Sequence, residues 1–146
     1  MLYFAYGSNL DESQMRERCP SAARGPRAVL PGYALTFGGF SHRWGGPVAS
    51  VLRARGARVH GLLYTLDPAD VAALDRCEGH PFAYERVQRI VLDEDGRRRR
   101  VHLYLQPEDG FESWAPPPDY LAVLRRAYAR LGFDRRSLAA AARVAA

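Results

Sequence analysis

The apolar positions fall into short runs with period two or none, separated by Gly, Pro and Asp. Only two stretches carry helical spacing. Leu2 to Tyr6 is a continuous apolar and aromatic run of the kind that forms a buried strand. Gly7 breaks it. Ser8 and Asn9 are good N-cap residues, and Asp11 and Glu12 put acids where a helix begins, which predicts a tight strand-to-helix turn and a short helix through about Arg18. Ala28–Phe37 and Val48–Arg53 read as strands joined by the Gly-rich stretch Gly38–Pro47, and Val59–Leu66 as a further strand. Asp67-Pro68 is a cap followed by Pro at the first helical position. It starts a helix to Cys77 or Glu78 that Gly79 stops. Glu85–Leu92 and Arg99–Leu105 pair as a hairpin, with Asp95-Gly96 as a type I′ turn. Pro107–Pro118 is irregular. Asp119 is expected to cap a long helix with Leu121, Leu124, Tyr128 and Leu131 on one face, closed by Gly132, and Asp134 to start a short Ala-rich helix. The expected architecture is α+β, a curled mixed sheet or small β-barrel with flanking helices, in one domain over residues 1–146.

Composition narrows the class without naming a chemistry. Apolar residues make up 47% and charged residues 25%, as in an ordinary globular protein. No run is long and apolar enough to span a bilayer, and Met1–Tyr6 lacks the basic leader of a signal peptide, so a cytoplasmic protein without membrane association is expected. Cys19 and Cys77 are too few for a disulfide framework, and His42, His60, His80 and His102 lack metal-ligand spacing, so neither a metal nor another cofactor is expected. The formal charge of +5 comes from Arg without Lys and would suit an anionic small molecule. Arg97–Arg100, beside a hairpin tip and without interleaved aromatics, reads as solvated charge, and no nucleic-acid partner is expected.

Two places can carry chemistry. At Gly7-Ser8-Asn9 a strand feeds a helix through Gly, leaving backbone N–H groups free for a carboxylate or a developing oxyanion. The plainer alternative is a capped helix start with no ligand. Glu78 stands at i+7 from Val71 and one turn beyond Leu74, so its carboxylate continues an apolar stripe. Burial there, and the partial negative charge of a helix C-terminus, would raise its pKa toward the range of a general base; the alternative is a frayed terminal Glu in water. Tyr3, Tyr6, Tyr84, Tyr104 and Tyr120 are, one by one, read as packed aromatics with a satisfied hydroxyl.

Taken together, these residues resemble the γ-glutamylcyclotransferase family, of AIG2-like fold. Tyr3-Phe4-Ala5-Tyr6-Gly7-Ser8-Asn9-Leu10 is similar to its N-terminal signature. Leu74-Asp75-Arg76-Cys77-Glu78-Gly79, followed by Tyr84 and Arg86, is similar to its second, with further likeness at Trp44-Gly45-Gly46 and Pro117-Pro118-Asp119-Tyr120. The resemblance implies a small mixed barrel and a cyclisation. The substrate's α-amine attacks its own γ-glutamyl carbonyl, giving 5-oxoproline and a free amino acid or amine. It implies Glu78 as acid/base, Tyr3, Phe4, Ala5, Tyr6, Gly7, Ser8 and Asn9 as the substrate-holding segment, Tyr84 and Tyr120 as further substrate contacts, and a small γ-glutamyl molecule as partner. Ser8-Asn9 argues mildly against the glutathione-degrading branch, which has Leu after the Ser, and against the γ-glutamylamine branch, which has Thr for Ser8. Monomer and homodimer remain open. So do a γ-glutamylamine or γ-glutamyl-protected metabolite as substrate, and a binding module without turnover.

Overall fold

The computed structural model describes residues 1–143. Five strands close a barrel in the order β1-β3-β2-β4-β5, with β1 Leu2–Ala5, β2 Ala23–Ser41, β3 Gly46–Thr65, β4 Glu85–Asp93 and β5 Arg98–Leu105. All neighbours are antiparallel except β1 and β5, which close the barrel in parallel at Tyr3 and His102. Among the described residues four α-helices flank it: α1 Glu12–Arg18, α2 Pro68–Glu78, α3 Pro118–Leu131 and α4 Arg135–Arg143. Among the described residues, no helix is long and apolar enough to cross a membrane.

The frame of the barrel is one long hairpin, β2–β3. The sequence splits β3 into two strands and begins β2 at Ala28, because Arg53–Arg58 and Ala23–Arg27 lack apolar alternation. Both segments are strand nonetheless, and the pairing survives register shifts at Arg24/Arg27, Pro31/Tyr33 and Gly38/Ser41. Such irregularities bend a strand and raise its twist, which lets a ribbon this long curl into a barrel instead of staying flat. Gly56, at φ +80°, marks the polar stretch that hid the continuity of β3. The link between the strands is shorter than the Gly38–Pro47 expected, since β2 runs to Ser41 and β3 starts at Gly46.

Three local expectations are corrected. Asp95 does not have positive φ, so the β4–β5 turn is not type I′; only Gly96 is left-handed, at +79°, and Asp93 Oδ1 accepts from the amides of Asp95 and Arg97. Helix α3 is capped at Pro117 without a side-chain bond, Pro118 taking the first position, so Asp119 contributes charge to the first turn instead of capping it. Helix α1 is capped by Asp11, whose carboxylate accepts from Gln14 N at 3.2 Å, and Ser8–Leu10 form a separate 3-10 turn. Helix α2 behaves as its sequence predicts: Asp67 and Asp70 form a reciprocal capping box, and Gly79 ends it in the left-handed region at φ +66°.

The core joins the barrel to α3. Phe4, Phe37, Leu62, Leu63, Leu103, Leu124 and Tyr128 are among its fully buried side chains. Arg130 ties the outer end of α3 to the opening turn by donating to Leu10 O at 2.8 Å. The arginines 97–100 lie on the β4–β5 hairpin, where Arg99 pairs with Asp93 at 3.3 Å and the other three are exposed.

Candidate active site

A cavity of about 470 Å³ opens between the end of β1, the last turn of α2 and the β2–β3 turn. Of the residues singled out from the sequence, Tyr3, Tyr6, Gly7, Ser8, Asn9, Glu78, Tyr84 and Tyr120 line it. Phe4 and Ala5 do not. Side chains alternate along β1, and Phe4 points the other way, its ring lying over Gly61 of β3, while Ala5 is fully buried.

Glu78 reaches the cavity because α2 stops where it does. The amides of Gly79 and His80 return to the carbonyls of Arg76 and Asp75, and Tyr84 N donates to Glu78 O at 3.2 Å, which turns the chain back and brings Tyr84 to the opposite side. Asp75 anchors the helix to the barrel. It accepts from Tyr104 Oη at 2.6 Å and from Arg86 Nε at 3.0 Å. Burial alone would raise the Asp75 pKa, but those two partners hold it below the usual value.

The Glu78 carboxyl is pushed up from its ordinary value by burial, and Arg18 pulls it part of the way back. Arg18 Nη1 lies 3.5 Å from Glu78 Oε1, both side chains being less than a fifth exposed. Asn9 sits at the centre of the contacts around them. Its Oδ1 accepts from Gln14 Nε2 at 2.9 Å and from Arg18 Nη1 at 3.1 Å, filling both lone pairs. The amide nitrogen therefore has a fixed sense, donating to Tyr3 Oη at 2.9 Å and toward Glu78 Oε1 at 3.5 Å. Gln14 Nε2 also donates to Ser8 Oγ at 2.8 Å, locking the turn.

On the far wall the backbone of one residue, Ala49, holds two tyrosines. Ala49 N donates to Tyr120 Oη at 3.0 Å, and Ala49 O accepts from Tyr84 Oη at 2.5 Å. Accepting from Ala49 N, the Tyr120 hydroxyl keeps its own proton to donate. Burial raises the pKa of Tyr3, Tyr6, Tyr84 and Tyr120, so these phenols stay neutral donors. A Cβ at Gly7 would come within 3.2 Å of Tyr120 Oη, so glycine lets the turn approach this wall.

Sequence reading missed Arg18, Gln14 and the rim formed by Phe40, His42 and Arg43. Arg18 closes a helix whose polar face gave no reason to look inward. Gln14 carries a detectable signal only once Asn9 is placed beneath it.

Comparison with known proteins then decides the family. The family model described as "Gamma-glutamyl cyclotransferase, AIG2-like" matches residues 3–122. The chain belongs to that family. Mouse γ-glutamylcyclotransferase is 33% identical over 128 residues, covering 84% of this chain and 67% of the mouse protein, and the human protein of the same name is 31% identical over the same extent. A solved structure titled "Gamma-glutamyl cyclotransferase" superposes with a TM-score of 0.87 at 27% identity, over 97% of this chain and 85% of that one. The closed barrel with its flanking helices is thus the γ-glutamylcyclotransferase fold.

Proposed function

We propose that the chain is a γ-glutamylcyclotransferase, releasing 5-oxoproline and an amino acid or amine from a γ-glutamyl amide, with Glu78 as the acid/base. The observation that carries this reading is the placement of a shielded carboxylate of raised pKa in one cavity with the Gly7–Asn9 turn, 3.5 Å from Asn9 Nδ2. Family membership gives the reaction class, as the names of the mouse and human relatives do.

Ring closure is intramolecular, so the protein's task is to fold the substrate and move protons. Proximity in well-oriented systems supplies about 7–11 kcal/mol. The γ-glutamyl end lies in the turn, where backbone N–H groups of Gly7, Ser8 and Asn9 receive its carboxylate or the oxyanion. The α-amine nitrogen attacks the γ-carbonyl carbon, and Glu78 takes the proton it loses. When the tetrahedral intermediate collapses, the bond from the γ-carbon to the leaving nitrogen breaks, and Glu78 returns the proton to that nitrogen. Tyr120 and Tyr84, held by Ala49, form the wall against which the substrate bends. The reaction needs no resident cofactor. A cytoplasmic setting fits this reading, since Cys19 is free and buried and Cys77 free and exposed.

The test is direct. Incubation with γ-glutamylalanine is expected to yield 5-oxoproline and alanine in equal amounts. Absence of 5-oxoproline from every γ-glutamyl dipeptide and γ-glutamylamine tried would overturn this reading in favour of a binding module of the same fold.

A further inference from the structure

The charge at the cavity mouth bears on the leaving group. Among the described residues, Glu78 is the single acidic side chain lining the cavity, against the guanidinium groups of Arg18, Arg43 and Arg76. Arg18 is committed to Glu78 and Asn9 in the interior. Arg43 and Arg76 are not: among the described residues neither is in an ion pair. Both are exposed, and they come from separate elements, Arg76 from the last turn of α2 and Arg43 from the turn between β2 and β3. Arg43 is held in place. Its guanidinium carbon is 5.8 Å from the Trp44 ring centroid, and Trp44 packs edge-on at 5.2 Å against Tyr120 of the inner wall.

With the γ-glutamyl end placed in the turn, these two exposed cations of the same cavity are available to the departing group. Resting on the cyclisation reading above, we infer that Arg43 and Arg76 form a leaving-group subsite that recognises a carboxylate, so that the enzyme selects γ-glutamyl amino acids over γ-glutamyl alkylamines. A guanidinium fork matches a carboxylate in charge and geometry, and an amine leaving group with a second ammonium would be repelled. Exposed pairs contribute little singly, so two together should give about a five- to tenfold preference that weakens with salt.

γ-Glutamylalanine and γ-glutamylethylamide differ only by that carboxylate, which makes them the matched pair for the test. For the native enzyme, kcat/KM is expected to favour the alanine compound by about five- to tenfold at low ionic strength, most of it in KM. In the Arg43→Gln/Arg76→Gln double variant the preference should fall below about twofold. Equal use of both amides by the native enzyme, or an undiminished preference in the double variant, overturns the subsite while leaving cyclisation intact. Failure of both amides to give 5-oxoproline overturns cyclisation itself and the subsite with it.

Discussion

Arg18 Nη1 stands 3.5 Å from Glu78 Oε1, the single acidic side chain lining the cavity among the described residues. Burial and this guanidinium act on the carboxyl in opposite directions, and burial prevails. Glu78 must be ionised to accept the amine proton, so the acidic limb of the kcat/KM profile should lie above the ordinary carboxylate range. Removing the charge in Arg18→Met should move that limb to still higher pH, and Arg18→Lys should hold it nearer the native position. A pH profile of the two variants checks this, and superimposable acidic limbs would remove Arg18 from control of the site.

Glu78→Gln should lower turnover by at least about a hundredfold, the usual scale for loss of a general acid/base. The same change has a predictable effect on stability. The native-state pKa of Glu78 lies above its unfolded value, so its contribution is most favourable below the unfolded pKa and declines as pH rises through the native one. A neutral amide escapes that decline. The stability of Glu78→Gln relative to native should therefore increase between pH 4 and pH 7.5, as read by denaturant midpoints at the two ends.

Asp75 should show the opposite dependence. Its native pKa is depressed, so the stability it supplies is present above its unfolded value and disappears as pH falls through the native one. Asp75→Asn should lose stability at neutral pH and differ much less from native at acid pH. Since the anchor holds α2, the variant should also lose activity; full activity would show that the Tyr104 and Arg86 contacts do not position Glu78.

Tyr120→Phe leaves Ala49 N without its acceptor inside a buried wall. A cost of about 1–3 kcal/mol in folding stability is expected for the orphaned donor. Turnover should fall as well, because the Tyr84 side loses its shared support. Urea unfolding and a 5-oxoproline assay on one preparation separate the two effects.

Gly61→Ala should be poorly tolerated for a reason far from the chemistry. Its Cβ would fall 2.4 Å from the Phe4 ring and 2.6 Å from Ala5 O. Overpacking of this kind costs about 1–3 kcal/mol, and a thermal melt should show a lowered midpoint.

Much of this was legible before any coordinates. Asp67-Pro68 and Gly79 bracket α2 by backbone chemistry alone, so the address of Glu78 follows from local sequence. The Gly7 turn is visible for the same reason. What could not be read is non-local. The continuity of β3 through Arg53–Arg58 rests on the pairs with β2 at its two ends, Arg53 with Tyr33 and Arg58 with Pro31, the four residues between them having no partner in β2, and not on its own alternation. The inward turn of Arg18 depends on Asn9 and Glu78, 9 and 60 residues away in sequence. Phe4 falls outside the cavity wall because a motif is contiguous while the face of a strand is not.

The left-handed glycine that ends α2 has a bearing on how this enzyme can change. Each added residue turns a helix by about 100°. An insertion or deletion within Pro68–Glu78 would swing the carboxylate away from the cavity unless the cap and the Asp75 anchor moved with it. Length variation should therefore be excluded from this helix and concentrated in connections that carry no such phase, such as the stretch before α3.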